Sequence, residues 1–164
     1  MSACTLNNGF LCKHSLFGGL SDAELDEVRL LLDETTYPKG TVVLRQGEPN
    51  STVYFIVKGD ISIRKHAGED AGSAREITVL HEGDSFGEME LIDIQPCAAS
   101  AVCLTEVNAI TLSNQALYRL SCSNLKAYTL IIMNLARDIS RRLRSTDNLL
   151  ALVSSKQQEA GAAR

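Results

Sequence analysis

Phe86-Gly87-Glu88-Met89-Glu90-Leu91-Ile92-Asp93-Ile94-Gln95-Pro96-Cys97-Ala98-Ala99-Ser100 interrupts a run of short strands, and the fold turns on how it is read. Gly87 permits a tight turn and a close backbone approach to a ligand. The residues after it favour about one turn of helix, which Pro96 stops. A helical turn inserted into a barrel directs free N–H groups at whatever lies above it, a cradle for a phosphate or a carboxylate.

On either side of this segment the pattern is that of strands. Residues 41–45 lie between the turns Tyr37-Pro38-Lys39-Gly40 and Gln46-Gly47-Glu48-Pro49. Residues 53–57, 61–64, 76–80, 99–104 and 107–112 alternate or run apolar between turn residues, and 67–74 form a small, polar hairpin tip. About eight strands at this even spacing predict a small β-barrel or jelly roll.

Helical periods flank the strands. Residues 1–36 are helical in character: Ser21 with Glu24 makes a capping box ahead of Leu25, Val28, Leu31 and Leu32. Beyond the strands, Asn114 caps a short helix and Ser123 a longer one. Leu125, Tyr128, Ile132, Leu135, Ile139, Leu143, Leu150 and Val153 then form one long stripe, which needs either the barrel or a second copy of the helix to cover it. The predicted organisation is a flexible leader (1–13), one domain (14–153) whose C-terminal helix, about 124–153, pairs two chains, and a frayed tail (154–164).

The segment 86–100 resembles the phosphate-binding cassette of the cyclic nucleotide-binding domain family. The family pattern F-G-E-L-A-L-L, three variable residues, then P-R-A-A-T/S is matched in spacing without a gap. The likeness extends over about residues 15–145, with Gly40, Gly47, Val57-Lys58-Gly59 and Glu82-Gly83 in place. It implies a mainly β fold with flanking helices: a β-roll (a double-stranded, jelly-roll-like barrel) with a cassette helix and a long C-terminal helix. The ligand-binding residues it implies are Phe86, Gly87, Glu88, Met89, Glu90, Cys97, Ala98, Ala99 and Ser100. Among them Glu88 accepts from a ribose 2′-hydroxyl, Gly87 offers backbone, and the amides of Glu90 and Ala98 donate to the phosphate.

Two positions depart from the pattern. Cys97 stands where the family has the arginine that neutralises the phosphate, and Glu90 where it has Ala, Gly or Ser. A charge-assisted hydrogen bond contributes about 1.5–3 kcal/mol, and a like charge at 4 Å costs about 1–4 kcal/mol. Together these amount to roughly two to four decades of affinity. Weakened binding of cyclic AMP and cyclic GMP is therefore expected, with Arg75 or Lys58 as candidate replacement cations.

Composition narrows the function classes. Sixteen Lys+Arg against twenty Asp+Glu give a net charge of −4, which does not favour broad capture of nucleic acid. The absence of Trp and an aromatic content of 5% argue against a stacking platform. Five cysteines without a C-x-x-C pair and three scattered histidines fit neither a disulfide framework nor a zinc site, and point to a cytoplasmic protein. No apolar run spans a bilayer. Arg137, Arg141, Arg142 and Arg144 read as the solvated flank of a helix pair. No nucleophile–base motif or catalytic carboxylate pair is present, so no catalytic residue and no obligatory cofactor is expected. The residues after the long helix are too few for a DNA-binding domain. The expectation is a non-enzymatic sensor for a cyclic nucleotide or another small anionic ligand, homodimeric and acting on a downstream protein. The alternative is a degenerate domain that binds no nucleotide and serves as a dimerising scaffold.

Overall fold

The computed structural model describes residues 2–3, 7–66, 74–93 and 95–162. The hairpin tip expected at 67–74 falls almost wholly outside them, and so do the side chains of Glu90, Leu91 and Asp93. Nine strands are found among the described residues: β1 (Ser2–Ala3), β2 (Asp33–Tyr37), β3 (Val42–Leu44), β4 (Thr52–Lys58), β5 (Ile61–His66), β6 (Ala74–Leu80), β7 (Ser85–Phe86), β8 (Ser100–Cys103) and β9 (Val107–Ser113). They form two antiparallel sheets, ordered β1-β2-β9-β4-β7 and β3-β8-β5-β6. The helices are α1 (Asn8–Leu11), α2 (Asp22–Arg29), α3 (Glu88–Asp93), α4 (Asn114–Ser123) and α5 (Leu125–Ala162), with a 3-10 turn at Ser15–Phe17. This is the β-roll with flanking helices. No described helix is long and apolar enough to cross a membrane.

Two cores explain why β4 and β9 read as nearly continuous apolar runs. Side chains alternate across a strand, so a strand buried on both faces needs apolar residues at every position. Val53 and Phe55 of β4, with Ile110 and Leu112 of β9, face the helices; Ile56, Val107 and Ala109 face the interior of the roll. The helical side adds Leu11, Leu16, Phe17, Leu25, Val28, Leu117, Leu120, Ile131 and Leu135.

Several local readings are corrected. The zone read as helical to residue 36 contains β2, which pairs along its full length with β9, from Asp33↔Thr111 to Tyr37↔Val107. Its sequence, Asp-Glu-Thr-Thr-Tyr, lacks apolar alternation because only its last residue, Tyr37, packs against a core. Residues 8–11, placed in the leader, form α1, and Leu11 is fully buried. The cap of α4 is Ser113, whose hydroxyl accepts from the Ala116 N–H. At the start of α5 it is the Asn124 side chain that accepts from the Ala127 N–H (3.0 Å), while Ser123 donates to Glu27. The capping box of Ser21 and Glu24 is formed, and Lys126 reaches Glu24 at 2.9 Å.

The long helix packs only part of its expected stripe on the core. Among the described side chains of α5 the buried ones are Ala127, Ile131, Asn134 and Leu135. Of the predicted stripe Leu135 is buried, and Tyr128 and Ile132 pack half-buried against the same core; Leu125, Leu143, Leu150 and Val153 are exposed. The helix also continues to Ala162, beyond the end expected at 153.

Candidate functional site

The cassette is built on the end of the five-stranded sheet. Tyr54 and Phe55 of β4 pair with Phe86 and Ser85 of β7, and the rings of Tyr54 and Phe86 stack at 4.8 Å with 8° between their planes. Burial pushes the Tyr54 phenol up to about 12, with Tyr37 and Cys97 adding to the effect. The chain then turns at Gly87, whose φ is +79°. A Cβ there would lie 2.7 Å from the Thr52 carbonyl and 3.0 Å from the Asn50 amide, so only glycine fits. The Asn50 side chain holds the turn by donating to the Gly87 and Thr52 carbonyls.

α3 begins at Glu88, and above it opens a cavity of about 170 Å³. Leu44, Ile63, Leu80, Phe86 and Ala101 supply an apolar floor, and Gly87, Glu88, Met89, Ala98 and Ala99 line the rest. The structure thus gathers Phe86, Gly87, Glu88, Met89, Ala98 and Ala99 around one cavity. Ser100 is not among the lining residues; it fixes a neighbouring turn, its hydroxyl accepting from the Gln46 N–H at 3.0 Å.

Cys97 does not line this cavity. Its backbone is clasped by the turn before β4: Cys97 N–H donates to the Glu48 carbonyl (2.9 Å), and Gly47 N–H to the Cys97 carbonyl (2.8 Å). Its side chain, 3% exposed, packs in the core of the roll with Ile56, Ala101 and Cys103. Glu90, the other departure from the family pattern, has its side chain outside the described residues.

The lining includes a residue that the sequence did not assign to it. Arg142, from α5, reaches the cavity and places Nη1 3.0 Å from Glu88 Oε1. Its other terminal nitrogen donates to the Ser85 carbonyl and lies 2.9 Å from Asp138. The Glu88 side chain is 5% exposed and that of Arg142 34%, so the pair is shielded on the carboxylate side. Neither Arg75 nor Lys58 lines the cavity. The signal for Arg142 lay in the sequence, since it interrupts the apolar repeat of the long helix. A cation among exposed arginines reads as a solvated flank, and no local pattern shows that Glu88, 54 positions earlier, lies opposite.

Comparison with known proteins agrees with this geometry. Residues 34–124 match the family model described as the cyclic nucleotide-binding domain. The CRP-like cAMP-activated global transcriptional regulator of Mycobacterium tuberculosis is 30% identical over 141 residues, 86% of this chain and 60% of that protein. The chain therefore spans about three fifths of the length of that curated relative. The crystal structure of a cyclic nucleotide-binding domain from Methylobacillus flagellatus superposes with a TM-score of 0.78 at 25% identity, covering 87% of this chain and 80% of that one. The regulatory subunit of a cAMP-independent protein kinase A from Trypanosoma brucei shares the fold, with a TM-score of 0.66 at 22% identity over 79% of this chain and 44% of that one. That structure is a mutant bound to cAMP, with a glutamate changed to alanine and, seven and eight residues on, a threonine to arginine and a valine to alanine. With a family model over more than half its length, and the cassette geometry assembled on the matching fold, the chain belongs to the cyclic nucleotide-binding domain family.

Proposed function

We propose that the chain is a non-enzymatic regulatory or sensor module of the cyclic nucleotide-binding type, in which a ligand in the cassette repositions α5. The observation that carries this reading is the contact of Arg142 with Glu88 at the cavity wall. A ligand hydroxyl seeking Glu88 must share or displace the guanidinium, and the guanidinium belongs to α5. Differential contact of this kind is what a ligand needs in order to shift a two-state element.

Binding of cyclic AMP and cyclic GMP is weak in this reading. The cation lining the cavity is already engaged by Glu88 and Asp138, and position 97 supplies no guanidinium. Isothermal titration of the purified chain with each nucleotide tests this. A dissociation constant in the high micromolar range or weaker is expected, whereas sub-micromolar binding would show that a cation does neutralise the phosphate. A second reading, a dimerising scaffold that binds no nucleotide, draws support from the Cys97 side chain packed in the core and from the apolar residues exposed on α5. Titration that is silent with both nucleotides favours it.

A further inference from the structure

Where the N-terminal segment meets α5 lies a titratable group that plays no part in lining the cavity. His14 precedes the 3-10 turn, and its Nδ1 accepts a hydrogen bond from the Leu16 N–H (3.3 Å). The ring stands edge-on to Phe17 and Phe55, with centroids 6.0 and 5.2 Å away. A neutral imidazole that accepts at Nδ1 carries its proton on Nε2. Here Nε2 is buried, on the side of the Gly83 and Asp84 carbonyls.

The charges acting on the ring are two carboxylates: Asp138 on α5 and Asp84 in the turn before β7. The backbone carbonyls of Gly83 and Asp84 act in the same sense, while Phe17 from the 3-10 turn and Phe55 from β4 bring no charge. Burial outweighs the carboxylates and holds the imidazole below its ordinary pKa. The folded protein therefore binds fewer protons here than the unfolded chain, and stability declines as pH falls below the ordinary imidazole range.

Asp138 is shared. Its carboxylate lies 2.9 Å from Arg141 and 2.9 Å from Arg142, and Arg142 divides itself between Asp138 and Glu88. Asp138, Arg142 and Glu88 thus form a line of alternating charges to the cassette, and Ser85 ties it to the His14 side: its hydroxyl donates to Asp138 at 3.4 Å, and it pairs across the sheet with Phe55, against which the imidazole stands.

We propose that proton uptake at His14 is linked, through Asp138 and Arg142, to occupation of Glu88 by a ligand, with protons working against the ligand. The ligand half of this linkage rests on the sensor reading above. A protonated ring carries hydrogen on both nitrogens, so it no longer accepts from Leu16 and instead draws on Asp138. Arg142, with less of Asp138, is held more firmly at Glu88, the acceptor a ligand hydroxyl needs. Linkage is reciprocal: a ligand that takes Glu88 returns Arg142 to Asp138 and lowers the proton affinity of His14.

The test follows the His14 ring by NMR in the intact chain from about pH 5 to pH 8, a range that brackets imidazole titration. His66 and His81 serve as internal controls. Glu88→Gln releases Arg142 to Asp138, so the His14 midpoint falls by about 0.3 pH unit or more. Arg142→Gln leaves Asp138 to the imidazole, and the midpoint rises by a similar amount. Asp138→Asn lowers the midpoint and removes the response to Glu88→Gln. A His14 midpoint that stays the same in Glu88→Gln and Arg142→Gln overturns the linkage, and if Glu88→Gln does not fold, Arg142→Gln decides alone. No ligand enters this measurement. Silent nucleotide titration with shifted midpoints therefore counts against the sensor reading, and unshifted midpoints with nucleotide binding count against the linkage.

Discussion

Position 97 shows how much a single side chain depends on the backbone that presents it. The two backbone hydrogen bonds to the Gly47–Glu48 turn hold Cys97 with its side chain in the core, while Ala98 and Ala99 face the cavity. Reversal of both departures tests whether the cassette remains competent. Cys97→Arg with Glu90→Ala should strengthen binding of cyclic AMP by about 3 kcal/mol or more, roughly two decades. The two changes lie in one short segment, so their effects need not add. An arginine that failed to turn out of the core would overpack it at a cost of about 1–3 kcal/mol, so thermal unfolding is measured first. A double variant that folds normally yet gives neither heat nor a thermal shift with the nucleotide places the chain with the scaffold reading. Glu88 could be singled out from sequence because Gly87 before it and the cassette spacing after it are local. The direction of the Cys97 side chain was not legible, because it is set by a turn some 50 residues away.

At the scale of elements, what the sequence hid is what lacks a periodic signature. The strands that enter both cores were legible, since each carries its apolar residues in order. β2 was not, because edge-side pairing with β9 requires only backbone groups and tolerates Asp-Glu-Thr-Thr-Tyr. The face of α5 was legible only in part, for a related reason. Its buried stripe is anchored by a polar residue, Asn134, which an apolar count passes over. The Asn134 side chain donates to the Leu16 carbonyl at 2.8 Å and to the Gly18 carbonyl at 2.9 Å, and its oxygen accepts from Arg137 at 2.8 Å. At 8% exposure it ties the 3-10 turn to the helix that carries Arg142. Asn134→Ala strands two carbonyls of the turn and should destabilise the protein by about 1–3 kcal/mol. Urea denaturation reads this as a lower midpoint at unchanged slope. A loss under about 0.5 kcal/mol, the scale of an ordinary surface change, would mean that packing of Phe17 and Leu16 alone seats the turn.

For the whole molecule the decisive feature is a helix longer than the body it packs on. The 38 residues of α5 span about 57 Å at 1.5 Å each, against a strand length of roughly 20 Å in a small roll. Its inner face is buried near the start, through Ala127, Ile131 and Leu135. Further along, Leu143, Leu149, Leu150, Leu152 and Val153 are all more than half exposed. A ridge of this kind is uncommon on a monomer, and pairing of identical helices about a twofold axis would cover it. Leu143, Thr146, Leu150 and Val153 fall at alternating spacings of three and four, a short seam with one polar position, which favours a modest interface. Such pairing would also set the position of Arg142, since the helix that would pair is the helix that touches the cassette. Leu150→Asp with Val153→Asp places charge on the seam at exposed positions, whereas Ile139, Leu143 and Thr146 border the crevice beside Met89 and are left intact. Sedimentation velocity should show a dimer for the unmodified chain and a monomer for the double variant, with the far-ultraviolet spectrum of the roll retained. An unmodified chain that sediments as a monomer at tens of micromolar would remove the dimer from this account, and the exposed ridge would then have to be covered by a different surface.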